Sequence, residues 1–172
     1  QWTVTGCGCL IIQRDGVGPR ITTATVGKVI DLGQSDVNDM GAAMAPAAAD
    51  TIVAHFRDTG RDPRYYDLII TGDLGKYGLA LMESLCQKLN CPLGQHVSDC
   101  GVLIYDIDQD VHAGGSGCGC SAVMLCGPLL NRMQAKEFNR ILLVGTGALM
   151  STTSSLQGET IPCIAHAVAI EN

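Results

Sequence analysis

Residues 140–145 read RILLVG, and the four residues between the arginine and the glycine are all apolar. A strand with one face in water alternates apolar and polar residues, whereas a strand covered on both faces is apolar throughout. Residues 67–71, DLIIT, form a second run of this kind and are followed by Gly72 and Asp73. The two runs predict buried strands with helices on both sides of their sheet, which is the arrangement of an α/β fold.

Strands and helices are predicted to alternate along the rest of the chain. Runs rich in β-branched and apolar residues predict further strands at residues 4–12, 20–30, 100–105 and 161–170. Helices are predicted at residues 40–56, 77–89 and 121–134. Polar composition predicts loops at residues 90–99 and 151–160. The resulting order, β-β-α-β-α-β-α-β-β, again indicates α/β layers.

Each predicted helix has one feature that bears on its packing. Pro46 lies inside the first helix, so it marks the first turn of that helix or kinks a longer one. In the second helix Leu81, Leu85 and Leu89 recur at four-residue spacing and predict its buried face. A Gly-Pro pair at residues 127–128 is predicted to interrupt the third helix.

Composition and charge narrow the class of protein. The 172 residues, 47% of them hydrophobic, suffice for one domain with a sizeable core. The formal net charge is −6 and basic residues form no cluster, which argues against nucleic acid as a partner because phosphate binding needs a basic face. No apolar run approaches the about 18–20 residues of a membrane-spanning helix, and no signal peptide is recognisable. Because the chain enters a predicted strand directly from Gln1, we expect it to be part of a longer protein.

The nine cysteines are scattered and odd in number, unlike those of a secreted disulfide framework. Free cysteines are among the most buried residues, so we expect small core side chains in a reducing compartment. The pairs Cys7/Cys9 and Cys118/Cys120 could each supply two metal ligands, but zinc sites usually have two residues between cysteines, and no metal site is predicted. Cys118 and Cys120 also lie near a predicted helix start, which lowers the pKa of a thiol and leaves a reactive cysteine as an alternative.

Residues 114–122, GGSGCGCSA, carry almost no side-chain volume and lead into the third predicted helix. Small residues over this length indicate that another segment or a ligand approaches the backbone closely. Free N–H groups at a helix start can also bind an anion. The residues alone leave close packing, an anion site and a reactive thiol open as interpretations.

Two further positions follow strands and are candidates for binding or catalysis. Gly145 and Gly147 follow a strand as in a dinucleotide-binding loop, but the position of the third glycine is Met150, so no dinucleotide cofactor is predicted. Asp73 follows a buried strand, where α/β sheets bind their ligands, and capping of the next helix is an equal alternative.

None of the four histidines can be assigned to a catalytic group from the sequence. His166 is in phase with apolar residues of the last strand and is predicted to be a core residue. His55, His96 and His112 are predicted to lie at the surface. No serine–histidine–aspartate triad and no pair of carboxylates can be recognised from the spacing.

Several stretches together resemble one protein family. They are TVTGCGCLII (3–12), ITTATVGKVIDLG (21–33), DMGAAMAPAAADTI (39–52), YDLIITGDLG (66–75), AGGSGCGCSA (113–122) and IPCIAHAVAIE (161–171). Over essentially the whole chain and in this order, they resemble the stage V sporulation AD family of spore-forming bacteria, which is a thiolase-like relative of the ketoacyl synthases.

The resemblance implies a thiolase-like fold, in which two similar α/β halves pack as five alternating layers. It implies that residues 1–12 are the last strand of the N-terminal half and that residues 20–172 are the C-terminal half. The expected architecture is a mixed five-stranded sheet with helices packed on it, without its N-terminal twin. The nucleophilic cysteine of the family would lie in that other half.

The resemblance also implies that the chain does not catalyse condensation. Ketoacyl synthases have a histidine after the strand that here reads LIITGD, and an asparagine or histidine in the motif that here reads GGSGC. This chain has Gly72 and Asp73 at the first position and Ser116 at the second. Condensation needs acid/base groups and an oxyanion hole, so we expect a binding domain rather than an enzyme.

The implied ligand is dipicolinic acid, alone or with calcium, taken up into the developing spore. The implied ligand-binding residues are Gly72, Asp73, Gly115, Ser116, Cys118 and His166. The implied partners are the other proteins of the stage V sporulation A operon and, in the full-length protein, a second copy in a homodimer. The implied location is the forespore, on the cytoplasmic side or at the inner spore membrane. An acyltransferase and a purely structural assembly subunit are the alternatives.

Overall fold

The structure is a computed structural model that describes residues 1–172. Its strands are β1 (Trp2–Thr3), β2 (Arg20–Val26), β3 (Leu68–Thr71), β4 (Val97–Asp99), β5 (Gly115–Ser116), β6 (Arg140–Ala148) and β7 (Cys163–Glu171). Its α-helices are α1 (Met40–Thr59), α2 (Gly75–Lys88), α3 (Cys100–Leu103), α4 (Cys120–Met124), α5 (Leu130–Gln134) and α6 (Thr152–Leu156). A π-helical turn (Leu125–Leu129) joins α4 to α5. None of the helices has both the length and the apolar character needed to cross a bilayer.

Five strands form the main sheet in the order β2-β7-β6-β3-β4. Strand β3 is parallel to both β4 and β6, whereas β7 is antiparallel to β6 and β2. Neighbouring residues Ile141 and Leu142 of β6 face opposite sides of the sheet, and both are fully buried. The predicted mixed five-stranded α/β sheet is therefore confirmed, and its centre is covered on both faces.

Helices α1 and α2 cover one face of this sheet. Ala165, Ala167 and Ala169 alternate along β7 and are fully buried in the same core as α1. Alanines on both elements leave little side-chain volume between them, so helix and strand lie close together. Helix α1 begins after Asp39, whose carboxylate accepts a hydrogen bond from a first-turn N–H at 3.1 Å. Pro46 lies in the interior of α1 and not in its first turn.

The segment from α4 to α5 covers part of the opposite face. Its buried side chains are Cys120, Met124, Leu129 and Met133. The Gly-Pro pair at residues 127–128 lies in the π-helical turn, which confirms the predicted interruption. On the same face Val26 of β2 and His166 of β7, which pair with each other, are both exposed. On this face, the part of the sheet near the end of β2 is therefore exposed to solvent.

The first residues of the chain are held by the small-residue run. Strand β1 pairs in parallel with β5, and Val4 N–H then donates to the Ser116 carbonyl at 2.8 Å. The strand predicted at residues 4–12 is not formed, because beyond Val4 this segment makes no ladder of backbone hydrogen bonds. The proposed membership of residues 1–12 in another half of the fold stays a prediction.

The segment after Val4 lies directly against the start of α4. A Cβ atom on Gly8 would overlap the carbonyl of Ala122, and one on Gly119 would overlap the carbonyl of Gly6. The backbones can touch because Gly6, Gly8 and Gly119 carry no side chain. Of the three interpretations of residues 114–122, close packing is the one that these contacts support.

Two elements lie elsewhere than predicted. Residues 100–105 begin as the helical turn α3, and the strand of this region is β4, inside the predicted loop 90–99. The carboxylate of Asp99 accepts a hydrogen bond from Val102 N–H at 3.2 Å, an N-cap that starts a helical turn where the apolar run predicted a strand. The predicted loop at residues 151–160 contains the short helix α6.

The buried face of α2 also differs from the prediction. Leu81 and Leu89 are exposed, and the helix buries Gly75, Gly78, Met82 and Cys86 instead. A Cβ atom on Gly78 would lie 2.8 Å from the Cα of Gly41 in α1. The leucine spacing predicts the wrong buried face. Glycines make the close contact between α1 and α2, and a search for apolar side chains at helical spacing does not detect glycine.

Candidate functional site

Three segments meet at the carboxyl ends of the parallel strands, around the side chain of Asp73. Asp73 lies in the turn after β3, and its Oδ2 atom accepts hydrogen bonds from Ser116 Oγ at 2.9 Å and Gly117 N–H at 3.0 Å. Its Oδ1 atom accepts from Thr146 Oγ1, on β6, at 2.9 Å. All four residues are half-buried. We call Asp73, Ser116, Gly117 and Thr146 the Asp73 cluster.

Two glycines make this arrangement possible. Gly117 has a φ of 135°, which residues with a side chain rarely adopt, and this conformation directs its N–H to Asp73. A Cβ atom on Gly72 would lie 2.7 Å from Thr146 Oγ1, so a larger residue would displace the hydroxyl that binds Asp73. The backbone at both positions is therefore adapted to the hydrogen bonds of the cluster.

Asp99, at the end of β4, hydrogen-bonds to the turn that carries Asp73. Asp99 is fully buried, and its carboxylate accepts hydrogen bonds from Thr71 Oγ1 at 2.6 Å, Leu74 N–H at 2.9 Å and Gly75 N–H at 3.0 Å. Burial raises the pKa of the Asp99 carboxyl, these three hydrogen bonds lower it, and the charge of Asp73 raises it further. Asp99 thus fixes the backbone on both sides of Asp73.

The predicted ligand-binding residues separate into two groups. Gly72, Asp73 and Ser116 come together in the Asp73 cluster. The other three lie outside the cluster. Gly115 packs against Val4, Ile104 and Tyr105, and Cys118 is exposed. His166 accepts a hydrogen bond from Gly27 N–H at 3.1 Å. His166 is also exposed, so the prediction of a core histidine is wrong. Apolar neighbours in sequence indicated burial, but this part of the sheet face is uncovered.

The chemistry of the Asp73 cluster is that of a carboxylate surrounded by donors. The Ser116 hydroxyl and the Gly117 N–H, which the sequence offered to a bound anion, already donate to Asp73. No imidazole hydrogen-bonds to the cluster, and the Ser116 hydroxyl donates to the Asp73 carboxylate instead. No group of three or more histidine, cysteine or acidic side chains in the structure is arranged to hold a metal. The cluster can still offer hydroxyl and carboxylate oxygens to a ligand from its open side.

A depression lies at the opposite, amino ends of the strands. It has a volume of about 380 Å³ and is lined by Arg64, Tyr66, Asp67, His96, Glu137, Phe138 and Asn139. Its charged side chains are of both signs. The carboxylate of Asp67 already accepts hydrogen bonds from the backbone N–H groups of Asn139 and Arg140, at 2.6 and 2.9 Å. Ligands of open α/β sheets bind at the carboxyl ends of the strands, so the Asp73 cluster is the better candidate.

The cysteines differ sharply in their surroundings. Cys7, Cys9 and Cys118 are exposed, and none of the nine cysteines forms a disulfide. Burial raises the pKa of the Cys120 thiol to about 12, and the charges of Asp73 and Asp99 raise it further. The alternative of a reactive Cys120 with a lowered pKa is therefore not supported, because burial and two carboxylates act on this thiol in the opposite direction.

Thiol labelling should reproduce this division. With iodoacetamide at pH 8, we expect Cys7, Cys9 and Cys118 to be alkylated in the folded protein. The buried thiols should react only after unfolding: Cys86, Cys100, Cys120 and Cys163. Peptide mass spectrometry before and after addition of urea makes the comparison, and labelling of Cys120 as fast as Cys118 would contradict the burial described here.

Three important residues were missed by the sequence analysis. Thr146 lies between Gly145 and Gly147, the two glycines that do not complete a dinucleotide-binding motif, and Asp99 lies in the predicted loop 90–99. His55 was predicted at the surface from its charged neighbours, but it is fully buried. Its helical position, one turn after Thr51 and two turns after Ala48, lies on the buried face of α1 and was the available signal.

Comparison with known proteins gives one clear family. Residues 1–171 match the family described as Stage V sporulation protein AD (SpoVAD). The chain is 50% identical over 169 residues to the Stage V sporulation protein AD of Bacillus subtilis (strain 168). This match covers 98% of the chain and 50% of that relative, so the chain spans about half the length of the curated relative.

Solved structures share the fold at much lower identity. The tetronic acid condensing enzyme AbyA1 superposes with a TM-score of 0.55 at 13% identity, over 94% of this chain and 50% of that one. MvaS in complex with 3-hydroxy-3-methylglutaryl coenzyme A gives a TM-score of 0.50 at 12% identity, over 90% and 40% of the two chains. These likenesses confirm the fold of thiolase-like condensing enzymes.

Proposed function

The chain belongs to the stage V sporulation protein AD family, and from this membership we propose that it forms a non-catalytic binding site for dipicolinic acid in the developing spore. The observation that carries the proposal is the Asp73 cluster. It lies at the carboxyl ends of parallel strands, where sheets of this class bind ligands. In this proposal the protein contributes to the machinery that takes dipicolinate into the spore.

Binding rather than catalysis is supported by the residues of the cluster. The ketoacyl synthases that the sequence resembles use a histidine and an asparagine or histidine at the corresponding motifs, whereas here Asp73 and Ser116 hydrogen-bond to each other. The carboxylate of Asp73 accepts three hydrogen bonds, which hold it in one orientation. The histidine and asparagine side chains that those enzymes use for condensation are therefore missing at this place.

The charge of Asp73 bears on the form in which the ligand binds. Dipicolinate is a dianion, and the donors nearest to Asp73 are already engaged by its carboxylate. A free dianion would therefore meet a negative charge without unpaired donors. Calcium takes oxygen ligands from carboxylates and hydroxyl-bearing groups, so a calcium-associated dipicolinate suits this site better than the free acid. In this proposal calcium belongs to the transported ligand and is not a cofactor of the protein.

Replacement of Ser116 with phenylalanine tests the proposed site. The larger side chain should fill the open side of the cluster and weaken dipicolinate binding at least tenfold. Isothermal titration calorimetry of the natural protein with dipicolinate plus calcium makes the measurement, with separate titrations of calcium alone and of dipicolinate in EDTA. Ser35→Phe, in an exposed loop, is the matched control.

The outcomes separate the parts of the proposal. Unchanged affinity in Ser116→Phe, with binding by the unaltered protein, would place the ligand elsewhere. Absence of any binding by the unaltered protein would contradict dipicolinate as the ligand. Turnover of an acyl-coenzyme A by that protein would favour acyl transfer instead. Location at the spore, association with other proteins of the A operon and a homodimer of the full-length protein are further parts of the proposal.

A further inference from the structure

The end of strand β2 is held by two histidines, one from each face of the sheet. Thr25 Oγ1 lies 2.8 Å from His55 Nδ1, on α1, and Gly27 N–H donates to His166 Nδ1, on β7, at 3.1 Å. We propose that this pair of contacts, which we call the two-histidine latch, is a pH-sensitive device that holds residues 25–27 at neutral pH and releases them on acidification. The latch lies outside the Asp73 cluster and does not depend on the proposed function.

His55 keeps its position against Thr25 only as a neutral imidazole, because its other ring nitrogen accepts a hydrogen bond from Tyr66. Arg61 Nη1 donates to the Tyr66 hydroxyl oxygen at 2.8 Å, so the hydroxyl hydrogen is directed to His55 Nε2, 2.7 Å away. Nε2 is then an acceptor, and Nδ1 carries the hydrogen that it donates to Thr25. A second proton on the ring would place two donors against the Tyr66 oxygen, since Arg61 already donates to it.

The His166 contact requires a neutral imidazole for a simpler reason. Its Nδ1 atom accepts the N–H of Gly27, and a protonated Nδ1 cannot accept. In the sheet His166 has Val26 opposite on one side and Gly145 on the other, so no charged side chain pairs with it there.

The charges around His55 oppose its protonation. Burial lowers the pKa of His55, the nearby Arg61 lowers it further, and Asp58 of the same helix raises it only in part. Arg61 itself is paired with Glu171 of β7 at 2.9 Å, and Tyr66 is neutral with a pKa raised by burial. After the end of β2, Lys28 is paired with Asp50 of α1 at 2.9 Å.

These surroundings set the direction of the pH effect. In an unfolded or locally opened state His55 regains its ordinary pKa of about 6.5, whereas in the closed state its pKa is lower. The open state therefore binds more protons as the pH falls, so the closed state is favoured above about pH 6.5 and loses that advantage below it. Beyond the latch, Ile30 and Cys163 exchange two backbone hydrogen bonds of 2.8 Å, which confine the opening to the end of β2.

Hydrogen exchange measured by NMR tests the latch. Between pH 8 and pH 5, the protection factor of the Gly27 amide, corrected for the intrinsic exchange rate, should fall at least tenfold. The amide of Leu142, in the centre of the sheet, should keep its protection and so distinguishes local opening from unfolding. Equal loss at Leu142 and Gly27, or no loss at Gly27, would overturn the proposal.

Neutral replacements identify the titrating groups. In His55→Gln/His166→Gln the pH dependence of the Gly27 amide should disappear, since glutamine can donate and accept without titrating in this range. His96→Gln/His112→Gln, at two exposed histidines, is the control and should keep the full pH dependence. A persistent pH dependence in the first variant would overturn the latch. Should that variant fail to fold, the pH dependence of the Gly27 amide in the unaltered protein decides alone.

Discussion

Replacing Asp99 with alanine is expected to lower the free energy of unfolding by about 3 kcal/mol or more, because buried donors left without an acceptor cost about 1–3 kcal/mol each. The donors are Thr71 Oγ1 and the N–H groups of Leu74, Gly75 and Val102. At roughly 2–4 °C per kcal/mol for a chain of this size, the melting temperature should fall by about 6–12 °C. Urea unfolding followed by circular dichroism gives the free energy directly.

The same substitution should also weaken ligand binding, since the turn that Asp99 holds carries Asp73. Asp99→Asn keeps one acceptor oxygen but turns an amide NH₂ toward donors, so we expect a smaller loss than for alanine. Asp108→Ala, at an exposed aspartate whose side chain makes no hydrogen bond, is the control and should change stability by less than about 0.5 kcal/mol. Equal unfolding midpoints for the Asp99→Ala and Asp108→Ala variants would contradict the role given to Asp99.

Replacing Gly119 with alanine is expected to detach the first residues of the chain from α4. The added Cβ would overlap the carbonyl of Gly6, which is backbone and cannot rotate away. Overpacking of this kind costs about 1–3 kcal/mol, and a backbone contact places the cost at the upper end. Trp2, the one tryptophan of the chain, lies 6.4 Å from the ring of Tyr105, so its fluorescence reports the detachment.

Gly127→Ala is the matched control for this experiment. Gly127 lies in the same helical segment, and a Cβ atom there would have no neighbour within 4 Å. Alanine at such a site should be neutral or stabilising by up to about 1 kcal/mol, since glycine is the weaker helix former. If both variants leave the fluorescence of Trp2 and the unfolding midpoint unchanged, the close packing of Gly119 on Gly6 is contradicted.

The main sheet could be predicted from the sequence because its central strands are marked by composition. Residues 141–144 are apolar without interruption, and burial on both faces follows from that fact alone. Helix α3 could not be predicted in this way, since its start depends on the carboxylate of Asp99 and not on the apolar residues that follow it. The buried face of α2 was hidden for a similar reason, because Gly78 marks a close contact that hydrophobic spacing ignores.

The candidate site could be predicted only where a residue follows a recognisable strand or motif. Asp73 comes directly after β3, and Ser116 lies in the small-residue run, so both were found. Thr146 contacts Asp73 from more than seventy positions away in sequence, and no spacing rule connects them. His166 was misplaced because its strand neighbours indicate a buried strand but not which helices cover each face.

The parallel pairing of β1 with β5 has a consequence for the order in which the protein folds. Trp2 and Gly115 are more than one hundred residues apart, so their contact closes a long loop and carries the entropy cost of that closure. During synthesis Trp2 leaves the ribosome long before Gly115 exists, and contacts of such separation form late. Val4 N–H binds the carbonyl of Ser116, so Ser116 reaches its final position only with this closure. The Asp73 cluster is therefore completed among the last parts of the molecule, after the sheet that supports it.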